Sequence, residues 1–397
     1  MWKGTAHNLR LWGSTVTFKK GMDMKKITAA LVLMLAIVVA GTTFAAETSV
    51  KGTIYTTWML NKTDGQDNYN AFSVDRAYFG AESKLSDHTS MRITFDIRPE
   101  KFSTKKTTVV DSDGDTVTVP AMSAYDGNPV ILKYAYADWK IKPVAQYVRV
   151  RFGLQPTMYL NYIEGAWNRR YIEKNINDLN GWTSTSDLGL SALFTLGPQG
   201  NLGEAGFSIL NGTKYSDVTD KNKNKDLNLF AKISPFYNNG DFNLVTFFGQ
   251  LYSGTQNVAI TGTAKASDWK NQIVSAGGKL AYRAAVDFCF DLNFRTLGQG
   301  AGKSDLKQRG VSFWGDLYLD RLVPATSPLR TLALFGRVDA YDPNGDLAKD
   351  GNTMVIAGVE CSPVKGVKAS LNYRNTSYQT DNATAQKFVY LNTEFKF

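Results

Sequence analysis

The chain has 397 residues, a formal net charge of +9 and a mean hydropathy of -0.25, which excludes a bundle of membrane-spanning helices. Two cysteines and two histidines are too few for a disulfide scaffold, and their spacing suits no metal site, so neither a metal nor a cofactor is expected. Part of the positive charge belongs to a leader rather than to the folded protein, so it gives no support for nucleic-acid binding.

Residues 1–21 read as a start-site extension and 22–45 as a secretory signal peptide. Lys25 and Lys26 precede an apolar run from Ile27 to Ala40, and Thr43 and Ala45 are the small residues before the cut. The alternative is an uncleaved anchor helix. Six Lys or Arg and one acid precede the cut, so the mature chain, 46–397, falls from +9 to +4.

From residue 46 onward the pattern has a period of two. In "AAVDFCFDLNFRTL" (284–297), Val286, Phe288, Phe290, Leu292 and Phe294 share one parity, and Asp287, Cys289, Asp291, Asn293 and Arg295 the other. Successive side chains of a strand point to opposite faces. Sixteen such segments follow one another: 50–60, 71–85, 89–98, 130–141, 146–155, 186–196, 203–212, 226–236, 241–252, 271–282, 284–296, 309–319, 330–341, 352–361, 366–375 and 386–397. Alternation is weakest at 203–212, 241–252 and 352–361.

Connections after even-numbered segments are mostly short, as in "SDHT", "KPVA" and "SPVK", whereas 99–129 and 156–185 are long. Short turns on one side and long loops on the other are the layout of an outer-membrane barrel. The expected fold is therefore all-β: a transmembrane antiparallel up-and-down barrel of sixteen strands, its apolar parity toward outer-membrane lipid and its charged parity toward an aqueous lumen. Phe397 ends an alternating last segment and is expected to be the signal read by the barrel-assembly machinery.

On the inward parity the pore-lining candidates are Arg76, Arg92, Arg98, Lys133, Arg149, Arg151, Asp287, Asp291, Arg295, Arg337 and Arg374. With Lys84, Lys232, Lys279, Lys368 and Lys396, that face carries fourteen basic residues. Eight acids share it: Glu82, Asp96, Asp287, Asp291, Asp316, Asp339, Glu360 and Glu394. The excess favours anions mildly. The third outer loop (156–186) is rich in aromatics. Tyr159, Tyr162, Trp167 and Tyr171 suit packing against the inner wall, so that Glu164, Arg169, Arg170, Glu173, Lys174 and Asp178 face the passage as a constriction. Such a loop serves equally to cap the barrel or to hold a neighbouring subunit.

In the second outer loop, Thr107–Val110 and Thr116–Val119 flank a turn and read as a surface hairpin. Asp111, Asp113 and Asp115 suggest calcium, but Gly114 is misplaced for a calcium loop and no Glu closes it.

The stretch Phe152-Gly153-Leu154-Gln155-Pro156-Thr157, with Trp167, Arg170-Tyr171 and Ser186-Asp187-Leu188-Gly189, resembles bacterial porins of the phosphate-selective porin O and P family. "FSILNGTKY" and "FGRVDAYDPN" resemble later strands of such porins. The resemblance implies a sixteen-stranded channel, a homotrimer, with the third loop folded into the lumen. Phosphate-selective members carry a ladder of arginines, whereas here basic and acidic residues interleave. The expected function is a porin for passive diffusion of small hydrophilic solutes or anions. The rival is a non-conducting barrel, a structural anchor or adhesin. No enzyme is expected, because His88, the one histidine after the leader, sits in the "SDHT" turn.

Overall fold

In the computed structural model, the described residues are 47–99, 107–110, 116–119, 129–141, 144, 147–217, 219–239 and 241–397. The expected start-site extension (1–21) and signal peptide (22–45), and the Asp111, Asp113, Asp115 cluster, lie outside them.

Alternation becomes strand wherever the sequence shows it. The elements run β1 (Glu47–Asn61), β2 (Asn70–Lys84), β3 (Thr89–Ile97), β4 (Thr107–Val110), β5 (Thr116–Val119), β6 (Val130–Lys140) and β7 (Val148–Pro156). Two helices follow, α1 (Met158–Trp167) and α2 (Ile176–Leu179). The chain then returns to strand: β8 (Ser186–Leu196), β9 (Gly203–Leu210), β10 (Asp226–Asn239), β11 (Phe242–Thr255), β12 (Lys270–Tyr282), β13 (Val286–Leu297), β14 (Leu306–Tyr318), β15 (Leu332–Asp342), β16 (Asn352–Val364), β17 (Val367–Tyr378) and β18 (Gln386–Lys396). All but β4 and β5 close into one sixteen-stranded antiparallel barrel. β4 and β5 pair with each other as a hairpin, with Thr107 opposite Val119.

Closure joins the first strand to the last. Thr53 pairs with Lys396, and Gly52 and Phe397 exchange backbone hydrogen bonds of 3.0 and 3.1 Å. The Phe397 ring lies over Gly52, where a Cβ would fall 2.1 Å from a ring carbon, so a larger residue there would displace the ring.

The two parities separate by exposure. Phe288 and Phe294 are 49% and 50% exposed on the outside of the wall, whereas Asp287 and Asp291 are 6% and 0% exposed on the inside. That inversion of the usual core pattern is what a lipid-facing sheet requires. The three-residue connection between β12 and β13 turns on Arg283 and Ala284, both left-handed at φ 51°, and the Ala285 N–H closes it on the Tyr282 carbonyl oxygen at 3.0 Å. Cys289 and Cys361 are both free thiols.

Candidate functional site: the inner wall and the third connection

The inner parity is a lattice of ion pairs. Arg151 holds Asp138 with two hydrogen bonds, Nε to Oδ1 at 2.7 Å and Nη2 to Oδ2 at 2.9 Å. Arg149 reaches Glu204 at 2.8 Å, Arg76 reaches Asp96 at 3.2 Å and Lys279 reaches Asp287 at 2.6 Å. Arg337 binds Asp339, two residues along its own strand, at 2.6 Å. Period two puts such i, i+2 partners on one face. All eleven pore-lining candidates lie on this inner face. Arg295 is held by the amide oxygens of Asn271 and Gln308 rather than by a carboxylate. Asp138, Asp187, Glu204 and Asp226 also belong to the face, as do Lys51 and Lys140, so the excess of basic over acidic residues drops below the one counted from sequence.

Residues 157–185 connect β7 to β8. Pro156 ends the strand and Thr157 stands at the N-terminus of α1, its hydroxyl donating to the Ser184 carbonyl oxygen at 2.6 Å across the base of the loop. The helix ends at Asn168, which is left-handed (φ 52°) and returns its N–H to the Glu164 carbonyl oxygen at 2.8 Å. Tyr159, Tyr162, Trp167 and Tyr171 are all buried. Tyr159 donates to Asp291 at 2.6 Å, Tyr162 to Glu204 at 2.8 Å and Tyr171 to Glu360 at 2.7 Å. The Trp167 ring meets Trp314 and Phe335 edge-on at 6.0 and 6.1 Å. Wall cations also grasp the loop backbone: Arg337 donates to the Lys174 carbonyl oxygen, Arg374 to that of Ile172 and Lys368 to that of Asn168.

The charged loop residues divide into two groups. Arg169, placed at the passage by the sequence, is 2% exposed and is paired with Asp316 and Glu360 of β14 and β16. Glu173 pairs with Arg374 of β17 at 2.6 Å. Both fasten the loop, because separating either pair would leave an uncompensated buried charge. Glu164, Arg170 and Asp178 form a triad within the loop, with Arg170 donating at 2.7 Å to Glu164 and at 2.6 Å to Asp178. Burial opposes charge on Asp178, but Arg170 and Lys174 outweigh it and hold the carboxyl below its ordinary range. Burial likewise opposes the Arg170 charge, and Glu164 outweighs it, so the guanidinium stays protonated.

The sequence reading overlooked Asp138 and Glu204. The signal for Glu204 was weak because Gly203 and Gly206 interrupt the alternation of β9. Gly206 makes room for the Phe230 ring, which a Cβ would approach to 2.8 Å. Tyr78, Tyr134 and Tyr215 were also missed. Tyr78 shares the parity of Arg76 and could have been found by asking which aromatics stand among the inward cations.

A sequence model of the family described as phosphate-selective porin O and P matches residues 55–266, more than half of the chain. The chain belongs to that family. Among solved structures, the porin is similar to the outer-membrane channel DcaP of Acinetobacter baumannii, at 13% identity and TM-score 0.55, over 89% of this chain and 97% of that one. It is similar to an anion-selective porin from Comamonas acidovorans, at 10% identity and TM-score 0.51, over 89% and 100% of the two chains. It is also similar to the trimer form of OmpT, an outer-membrane protein of Vibrio cholerae, at 10% identity and TM-score 0.50, over 89% and 100%. At these identities the likeness is one of fold. No curated protein matches the chain. The porin is an outer-membrane β-barrel channel of Gram-negative bacteria.

Proposed function

We propose that this porin is a water-filled channel for passive diffusion of small hydrophilic solutes, mildly preferring anions, and that residues 157–185 form its constriction. One observation carries the reading. The loop bonds to β9, β13, β14, β15, β16 and β17, always through side chains of the polar inner parity. A segment that reaches so many strands from the inside of a closed wall occupies the bore. Glu164, Arg170, Lys174 and Asp178 then border the remaining passage, while Arg169 and Glu173 fix the loop to the wall. The anion preference is weaker than the sequence count suggests, because most inner cations are paired. Hydrolysis is not part of this reading: His88 lies in the turn between β2 and β3, its backbone N–H donating to Ser86 Oγ at 3.2 Å.

The same reading makes 22–45 a cleaved signal peptide, 46–397 a single barrel domain, Phe397 the mark taken up by the assembly machinery, and the working form a homotrimer, as the trimer form of the Vibrio protein encourages. Reversal potentials of the mature porin in planar bilayers under a KCl gradient test it. A small shift toward the chloride potential is expected. A clear cation preference overturns the anion claim, and silence from folded protein gives the anchor reading instead.

A further inference from the structure

On the inner wall, directly beside Arg170, β1, β2, β3 and β6 border a recess of about 220 Å³. It lies toward the short-turn ends of these strands and is lined by Tyr78, Glu82, Arg92, Lys133, Tyr134 and Arg170. Three of the cations have their charges answered differently. Arg92 lies 3.4 Å from Glu82, and Arg170 is bound to Glu164 and Asp178. Lys133, only 4% exposed, has no carboxylate partner among the described residues. It donates to the Tyr78 hydroxyl at 3.0 Å, and Arg76 donates to the same oxygen at 2.9 Å.

Two consequences follow from elementary chemistry. An ammonium held this deep without an anion is costly, so the recess favours a guest that brings one. With both lone pairs of the Tyr78 oxygen engaged by cations, its own proton is left to donate, and donation is strengthened by the charges behind it.

The spacing of the cations narrows the guest. A compact inorganic anion is best held by donors converging on one point. Here Lys133 and Arg92 rest on rings instead: Lys133 lies 4.2 Å from the Tyr78 centroid and 5.4 Å from that of Tyr134, and Arg92 lies 4.6 Å from that of Tyr134. Cationic and aromatic surface therefore alternate along the recess. We propose that this recess is a binding site for small aromatic carboxylates, the carboxylate meeting Lys133 and the Tyr78 hydroxyl while the ring lies against Tyr134. The proposal rests on the channel reading and names the solute class that such a channel retains.

The test uses the mature porin in planar bilayers at constant KCl, with benzoate, acetate and phosphate as probes. Benzoate is expected to reduce the current with a half-blocking concentration at least about tenfold below those of acetate and phosphate. Tyr134→Ala is expected to raise the benzoate value about tenfold and Tyr134→Phe to leave it within about twofold, while Lys133→Met weakens benzoate block at least about tenfold. Lys349→Met, far off on an outer loop, is the control and changes neither current nor block. Should the variants fail to fold, the ranking of the three probes on the unaltered porin still decides. An open channel that acetate or phosphate blocks as well as benzoate overturns the aromatic assignment and leaves the channel reading standing. Silent bilayers from folded protein overturn the channel reading itself.

Discussion

Arg169 Nε stands 3.1 Å from Glu360 Oε2, joining residues 191 apart in the chain. The same guanidinium pairs with Asp316 and lies over the Phe335 ring at 4.7 Å. One side chain of the third connection thus neutralises two carboxylates on β14 and β16.

Arg169→Met leaves both carboxylates buried, with Lys368 3.9 Å from Glu360 and the Tyr171 hydroxyl still bound to that carboxylate. Breaking a buried pair by removing one partner costs about 3–5 kcal/mol. The loop is expected to loosen from the wall, giving a larger and noisier single-channel current and a lower unfolding temperature. Arg169→Lys should recover only part of this, since an ammonium does not span two carboxylates as a planar fork does.

Tyr159→Phe is the milder test of the same attachment. It removes the donor to Asp291, which is fully buried, and keeps the ring. Losing a hydrogen bond to a buried charged acceptor costs about 1–3 kcal/mol. The variant is expected to assemble normally, to unfold at a lower temperature in detergent, as read by gel mobility, and to show more current noise than the unaltered porin.

The barrel was legible because lipid and water impose a period of two on every strand, and no strand end differs by more than three residues from its sequence segment. The long third connection was legible as a unit, since Tyr159, Tyr162, Trp167 and Tyr171 are too many aromatics for a loop swept by solvent. The partners of its charges were not. Arg169 and Arg170 are neighbours of identical type, yet one binds the wall and the other binds within the loop. That division depends on the left-handed turn at Asn168, which redirects the chain between α1 and the two arginines. The wall partners Asp316 and Glu360 are 147 and 191 residues from Arg169, separations that no local pattern encodes.

Two glycines are expected to respond in opposite directions to alanine. At Gly254 a Cβ would fall 2.1 Å from the Asp226 carboxyl carbon, which is fixed by Tyr252 and by the Thr255 N–H at 2.9 Å. Forcing extra volume into a packed site costs about 1–3 kcal/mol. At Gly165, inside α1, a Cβ meets nothing within 4 Å, and alanine there stabilises a helix by about 0.5–1 kcal/mol. Thermal unfolding of Gly254→Ala and Gly165→Ala should move down and up respectively.

Asp178 fixes the pH at which the loop triad fails. Its carboxyl is depressed in the folded chain, by Arg170 and Lys174 acting against burial. Stability from the pair is therefore complete above the ordinary carboxyl range and is lost as pH falls below it. The conductance difference between the unaltered porin and Asp178→Asn should persist from neutral pH down to about 5 and fade only below about 4, where an unperturbed Asp would already be protonated. Asp178→Asn should give the acid-state current at neutral pH. A conductance step near neutrality in the unaltered porin, absent from the variant, would contradict this assignment.

Phe288 tests the separation of solvents on which the channel depends. It is 49% exposed on the outer face and stacks with Phe313 at 6.4 Å, while Asp287, next to it in sequence, is 6% exposed and bound to Lys279 on the inner face. Phe288→Arg places a cation against hydrocarbon, at a cost of about 2–4 kcal/mol if the site lies near the bilayer midplane. Reduced assembly in membranes is expected, with a smaller effect in detergent micelles, whose water reaches the site more readily. Asp287→Asn should assemble well and change ion selectivity instead, because the group it alters faces the bore. Adjacent residues then fail in different assays, and that difference follows from a single wall with hydrocarbon on one side and electrolyte on the other.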